Sequence, residues 1–144
     1  MNTLALEQPP LRKLDAWLER RRAIAAEYRR ALAGLGTVRP LAERPDREPA
    51  WHIYPVLLDL DALRADRAQV LAALRAEGIG VNVHYIPVYW HPYYAGLGYR
   101  HGLCPVAEQA YAQLVTLPCF PAMTERDVAD VIEAVYKVVG AYRR

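Results

Sequence analysis

Apolar residues recur at spacings of three and four from Leu11 through Leu14, Leu18, Ile24, Tyr28 and Leu32 to Leu35, with one gap at Arg21. That period predicts an amphipathic helix over about 11–33, with Gly34 placed to stop it. The opposite face carries Arg12, Lys13, Glu19, Arg20, Arg22, Glu27 and Arg30. Mixed signs at helical spacing describe a solvated face. Val38 opens a short strand before Pro40, and the prolines and charges of 40–49 read as a loop. The apolar run from Trp51 to Asp59 predicts a strand, with His52 packed inside it. Pro55 has no N–H for a ladder, so it predicts an edge strand or a bulge.

The pattern continues with Asp66-Arg67-Ala68-Gln69, whose capping-box spacing opens a helix to about Glu77, with Gly78 at its C-terminal cap. Residues 81–85 predict a short strand. Residues 86–103 hold Pro87, Pro92, Gly96, Gly98 and Gly102 and read as irregular. Pro105 to Leu114 predicts a helix with proline in its first turn, and Val115 to Leu117 a strand stopped by Pro118. Thr124 caps a last helix whose apolar face is Val128, Val131, Ile132, Val135 and Val138, with Met123 placed to staple onto Val128. Helices and strands alternate within one short chain. The expected fold is therefore α+β, a small sheet covered by helices, in a single domain spanning 1–144: a long helix over about 11–33 and an α+β body over about 37–142.

Composition narrows the function more than the fold. The chain has 144 residues, 53% hydrophobic and 24% charged, which supports a packed core and excludes a disordered chain. A net charge of +2 is too small for a phosphate-tracking surface, so no nucleic-acid partner is expected. Cys104 and Cys119 make neither a disulfide framework nor a zinc quartet, and read as buried or half-buried free thiols. His84, His91, His101 and Cys104 follow one another at spacings that match no zinc pattern, so no metal is expected. No secretory leader, membrane span, P-loop or nucleophile elbow stands out, and a cytoplasmic protein is the expectation. The basic residues are sixteen arginines and only two lysines, Lys13 and Lys137, which leaves two candidate Schiff-base amines.

Chemistry concentrates in residues 81–99, VNVHYIPVYWHPYYAGLGY, which contain no Asp, Glu, Lys or Arg. Six of the fourteen aromatic residues fall there: Tyr85, Tyr89, Trp90, Tyr93, Tyr94 and Tyr99. Rings with polar tips suit a wet, partly apolar pocket or the core of an interface. A loop folded over the domain's own core has the same composition. His84, at the end of the predicted strand, is placed to donate, accept or move a proton near neutral pH, or to bond backbone.

Four segments in order, LRKLDAWLERRRAIAAEYRRALAGL, AWHIYPVLLD, LRAEGIGVNVHYIPVYWHPYY and CPVAEQAYAQLVTLPCFPAMTERDVADVIEAV, resemble the C-terminal part of the DegT/DnrJ/StrS sugar aminotransferases over about residues 11–140. The resemblance implies the small C-terminal domain of a fold-type I enzyme that uses pyridoxal phosphate on a nucleotide-linked keto sugar, packed on a large domain at a dimer interface. It places His84 and Tyr85 near the sugar, with Asn82, Tyr89, Tyr93 and Tyr94 facing the nucleotide sugar. Tyr89 stands where many members carry histidine. This departure resembles the branch that aminates a UDP-linked 4-keto hexose on the way to pseudaminic acid.

The departures from the family carry equal weight. The large domain, its Schiff-base lysine, the acid for the pyridine nitrogen and the phosphate loop have no counterpart in these residues. Neither lysine stands in the family's lysine motif, and Pro9-Pro10 interrupts the lead-in helix. The expectation is a chain that binds no cofactor and does not transaminate alone. It would be a fragment, a split half or the product of a truncated gene, working with a large domain or second subunit and as a homo-oligomer. A stand-alone module that binds a nucleotide sugar or a protein through residues 85–99 is the alternative, and an arginine-based nucleic-acid binder is a third reading.

Overall fold

A computed structural model of the chain describes residues 12–144. Leu11 and the Pro9-Pro10 interruption lie outside the described residues. Helix α1 spans Leu14–Leu32, strand β1 Val38–Pro40, β2 Tyr54–Leu58, α2 Arg67–Ala76, α3 Pro92–Gly96, α4 Pro105–Gln113, β3 Leu114–Leu117 and α5 Glu125–Tyr142. The architecture is α+β, with one antiparallel sheet in the order β1-β2-β3. Val38 faces Leu58, and Tyr54 faces Leu117. Tyr54, Val56 and Leu58 alternate inward along β2 and meet Val38, Val115 and Leu117 in the core. Helices α1 and α2 touch β1 and β3, α5 lies against both helices, and α4 contacts β2.

Only the second half of α1 is buried, through Ile24, Ala25, Tyr28 and Leu32, while Leu14 and Trp17 are exposed. The gap in its apolar pattern is functional in the fold. Arg21 donates to the carbonyls of Trp51 at 3.0 Å, His52 at 2.9 Å and Cys119. Arg20 beside it donates to Met123 O and pairs with Glu125. These two side chains tie the helix to the turns around the sheet instead of pointing into solvent. On α5, Val128, Val131, Val135, Val138 and Val139 form the buried stripe, each contributing about 1.5–3 kcal/mol by burial. Both capping boxes form: Asp66 with Gln69, and Thr124 with Asp127. The Thr124 backbone N–H and hydroxyl hold the Asp127 carboxyl below its ordinary range.

Several expectations need correction. Pro55 lies in the central strand, yet its missing N–H is harmless. Thr116 spends both backbone groups on Asn82, on its far side, so the Pro55–Thr116 pair is not hydrogen-bonded. The nitrogen of Pro55 points away from β3, past the last residue of β1, Pro40, which pairs with Val56. The strand expected over 81–85 is a single bridge between Asn82 and Thr116. Asn82 Oδ1 takes the Val83 N–H at 2.8 Å, and a side chain that captures the next donor ends a ladder. The segment 86–103 is ordered into a 3-10 turn, Val88–Trp90, and α3, which starts on Pro92. His52 is exposed and precedes β2, and Cys104 is exposed while Cys119 is buried. Gly36, not Gly34, takes the left-handed conformation after α1, with φ 65°.

Candidate functional site

The bridge at Asn82 brings the segment 82–85 alongside β3. His84 Nδ1 lies 2.9 Å from Thr116 Oγ1 in hydrogen-bond contact, and the imidazole is partly buried. Tyr85 follows in edge-to-face contact with the His84 ring, with 72% of its surface exposed. The chain then turns through Val88–Trp90 into α3, which carries Tyr93 and Tyr94 packed edge to face at 5.2 Å. Tyr93 is 72% exposed, and Tyr94 also contacts Tyr99.

Two residues of this stretch are used in closing it. The Tyr89 hydroxyl donates to Glu108 Oε1 at 2.7 Å, and the same oxygen accepts the Gly102 N–H at 2.7 Å. Glu108 stands on α4, so one carboxylate clamps both ends of the segment. The contact shifts both groups. Partial burial, then the Glu108 bond, pushes the Tyr89 phenol up to about 12, while the Tyr89 bond holds the Glu108 carboxyl below its ordinary range. Trp90 stacks on His101 with centroids 4.0 Å apart, and meets Tyr111 edge on. Arg67 lies over the Tyr111 ring and bonds the Tyr111 carbonyl. The segment 89–102 is therefore a closed loop held by α4, and its outer side presents tyrosines.

Of the six residues expected to meet a ligand, Asn82, His84 and Tyr85 sit together beside β3, and Tyr93 and Tyr94 sit together on α3. Tyr89 has its hydroxyl engaged with Glu108. Thr116 and Glu108, which hold these groups, were not among the candidates. An isolated threonine in a strand and an acid in a helix carry no signal in the sequence. His91, His101 and Cys104 form no metal cluster among the described residues. A separate groove of about 560 Å³ runs between the end of α2 and α5, lined by Glu77, Ile79, Phe120, Asp127, Asp130 and Lys137 among others. It is acidic and lies apart from the tyrosines. Among the described residues no helix is long and apolar enough to cross a membrane.

The three-stranded sheet covered by five helices among the described residues is the fold of one part of an aminotransferase, as solved structures show. The S. venezuelae protein DesV, solved in complex with a ketimine intermediate, matches at 37% identity and a TM-score of 0.79 over 88% of this chain and 33% of its own. A sugar aminotransferase of Streptococcus pneumoniae, solved in its PLP form, matches at 27% identity and 0.82 over 91% of this chain and 33% of its own. Helicobacter pylori PseC, an aminotransferase of pseudaminic acid biosynthesis, matches at 0.83 over 92% and 35%, but at 24% identity it shows the fold alone.

Residues 3–136 match the family model of the DegT/DnrJ/EryC1/StrS aminotransferases, and the chain belongs to that family. Among curated relatives, an uncharacterized protein of Methanocaldococcus jannaschii, MJ1066, is 37% identical over 92% of this chain and 35% of its own length. The spore coat polysaccharide biosynthesis protein SpsC of Bacillus subtilis is 38% identical over 94% and 35%. The chain thus spans about a third of the length of the relatives it matches.

The family uses pyridoxal phosphate, and among the described residues neither lysine stands in surroundings that fit its phosphate. Lys137 pairs with Glu77 at 2.7 Å, in the groove that also holds Asp127 and Asp130. Those carboxylates repel a phosphate. Lys13 is exposed ahead of α1.

Proposed function

We propose that this chain is the C-terminal, substrate-facing part of a pyridoxal-phosphate-dependent aminotransferase acting on a nucleotide-linked keto sugar. The cofactor lysine and phosphate site belong to the rest of the whole protein. The observation that carries this reading is the surface of two neighbouring stretches of one segment, Asn82, His84 and Tyr85 beside β3 and Tyr93 and Tyr94 on α3. It is polar-tipped and aromatic, free of formal charge, and exposed at Tyr85 and Tyr93 in a chain one third the length of its relatives. Aromatic faces stack on sugars and bases, while hydroxyl, amide and imidazole groups bond sugar oxygens. Tyr89 braces the same segment through Glu108. A UDP-linked 4-keto hexose is the substrate we favour, on the tyrosine at position 89 and the aromatic run after it. A second copy of the protein would border the same face.

Two experiments test the reading. The purified chain is mixed with pyridoxal phosphate, reduced with borohydride and examined by mass spectrometry. No stoichiometric label is expected on Lys13 or Lys137, and a specific label on either overturns the division of labour. In the whole protein, His84→Gln and Tyr85→Ala should raise the KM for the keto sugar at least tenfold while leaving cofactor binding unchanged. Unchanged kinetics in both variants would sink the site assignment.

A further inference from the structure

Among the described residues Thr116 is one of two buried polar residues, with 5% of its surface exposed. Among the described residues its hydroxyl meets one partner, His84 Nδ1, at 2.9 Å. Its backbone serves the same segment: Thr116 N–H donates to Asn82 O at 2.8 Å, and Asn82 N–H donates to Thr116 O at 3.2 Å. One residue of β3 therefore holds both polar members of 82–84.

The hydroxyl proton decides the state of the imidazole. A threonine hydroxyl has one donor, and His84 offers its nearest acceptor. If Thr116 Oγ1 instead accepted an N–H from Nδ1, its own proton would be left buried without an acceptor, which costs the desolvation of that group. Donation to Nδ1 removes the conflict. Nδ1 is then the acceptor, and the neutral ring carries its proton on Nε2. No partner for Nε2 lies among the described residues.

We propose that Thr116 is a positioning residue that locks neutral His84 in the Nε2–H tautomer, so that the ring presents a single N–H donor to an oxygen of the bound ligand. The ligand half of this inference rests on the function proposed above; the tautomer half does not.

The two halves separate in one set of spectra. Long-range ¹H–¹⁵N correlation of the full labelled chain, above the His titration range, reads the tautomer, with His84 assigned by loss of its signals in His84→Gln. The expected pattern is a bare, hydrogen-bonded Nδ1 and a protonated Nε2. A protonated Nδ1, or averaging of both tautomers in the native chain, overturns the proposal. Thr116→Ser should keep the pattern, and Thr116→Val should move Nδ1 to the position of an unbonded nitrogen. A native pattern in Thr116→Val, or its loss in Thr116→Ser, overturns it too. If Thr116→Val does not fold, the native chain and the serine variant still decide. In the whole protein, UDP-glucose, glucose and inorganic phosphate are then added separately. A shift of the His84 Nε2–H signal with glucose assigns the bond to a sugar oxygen, and with phosphate to a phosphate oxygen. No shift with any probe, with the tautomer pattern intact, refutes the ligand half and counts against the proposed function while Thr116 keeps its role.

Discussion

Replacing Tyr28 and Tyr54 by phenylalanine, one at a time, makes the same chemical change at two neighbouring sites and should move stability in opposite directions. Both side chains are fully buried, with ring centroids 5.1 Å apart, and both rings survive the substitution. The Tyr28 hydroxyl donates to Pro118 O at 2.9 Å, so Tyr28→Phe strands a carbonyl and should cost about 1–2 kcal/mol. The Tyr54 hydroxyl is buried and has no partner among the described residues. Tyr54→Phe removes an uncompensated polar group and should gain about 1 kcal/mol. At roughly 3 °C per kcal/mol for a chain of this size, the two variants should melt about 6–9 °C apart. Thermal and urea unfolding followed by circular dichroism measure both. Equal losses in the two variants would refute the reasoning, since they require a partner for Tyr54.

The pH dependence follows with the same sign at both sites. Burial raises the Tyr28 phenol, and raises Tyr54 to about 12. Above pH about 10 the unfolded chain has released protons that the folded chain still holds, so this stability is full below pH 10 and is lost as the pH rises through the folded values. Each Phe variant should therefore show a shallower alkaline decline than the native chain.

Two further outcomes are expected. Glu108→Gln keeps an acceptor but removes the charge, so the Tyr89 titration should fall from about 12 part of the way to the ordinary value near 10; an unmoved ¹³Cζ midpoint would mean that burial alone sets it. Arg21→Leu leaves three carbonyls without their shared donor and should cost about 2–3 kcal/mol in urea unfolding, and a loss below about 0.5 kcal/mol would show the clasp to be ornamental.

What could be read from the chain follows the range of the interaction responsible. Capping boxes are local, so Asp66–Gln69 and Thr124–Asp127 announced their helices within four residues, and Gly78 its C-terminal turn. Burial stripes are nearly as local, which is why most of the α5 stripe was legible, although Ala134 and Val139 are buried beside it and Ile132 is only half-buried. Arg21 was visible only as an interruption, because its three carbonyls come from turns 30 and 98 residues away. The strand expected over 81–85 failed for a local reason that periodicity does not register: Asn82 competes for the next N–H. Pro55 misled because an edge was taken as a property of a whole strand, whereas it holds here for one residue on one side of β2.

The site divides along the same line. Its exposed members could be found because they are unusual together: six aromatic residues and two histidines in a stretch with no formal charge. The residues that hold them are ordinary in type and distant in sequence, Thr116 at 32 positions from His84 and Glu108 at 19 from Tyr89. A hydroxyl becomes a tautomer lock only when burial denies it every other acceptor. A carboxylate becomes a clasp only when both ends of a loop return to it. Both properties arise from packing, so they are absent from any window of sequence and appear once α4 and β3 are set beside the loop. This also orders the experiments. The tyrosine face can be altered one ring at a time without disturbing its support, whereas a change at Glu108 should shift every tyrosine from 89 to 99 together, and a change at Thr116 should reach His84 and leave Tyr93 and Tyr94 where they are.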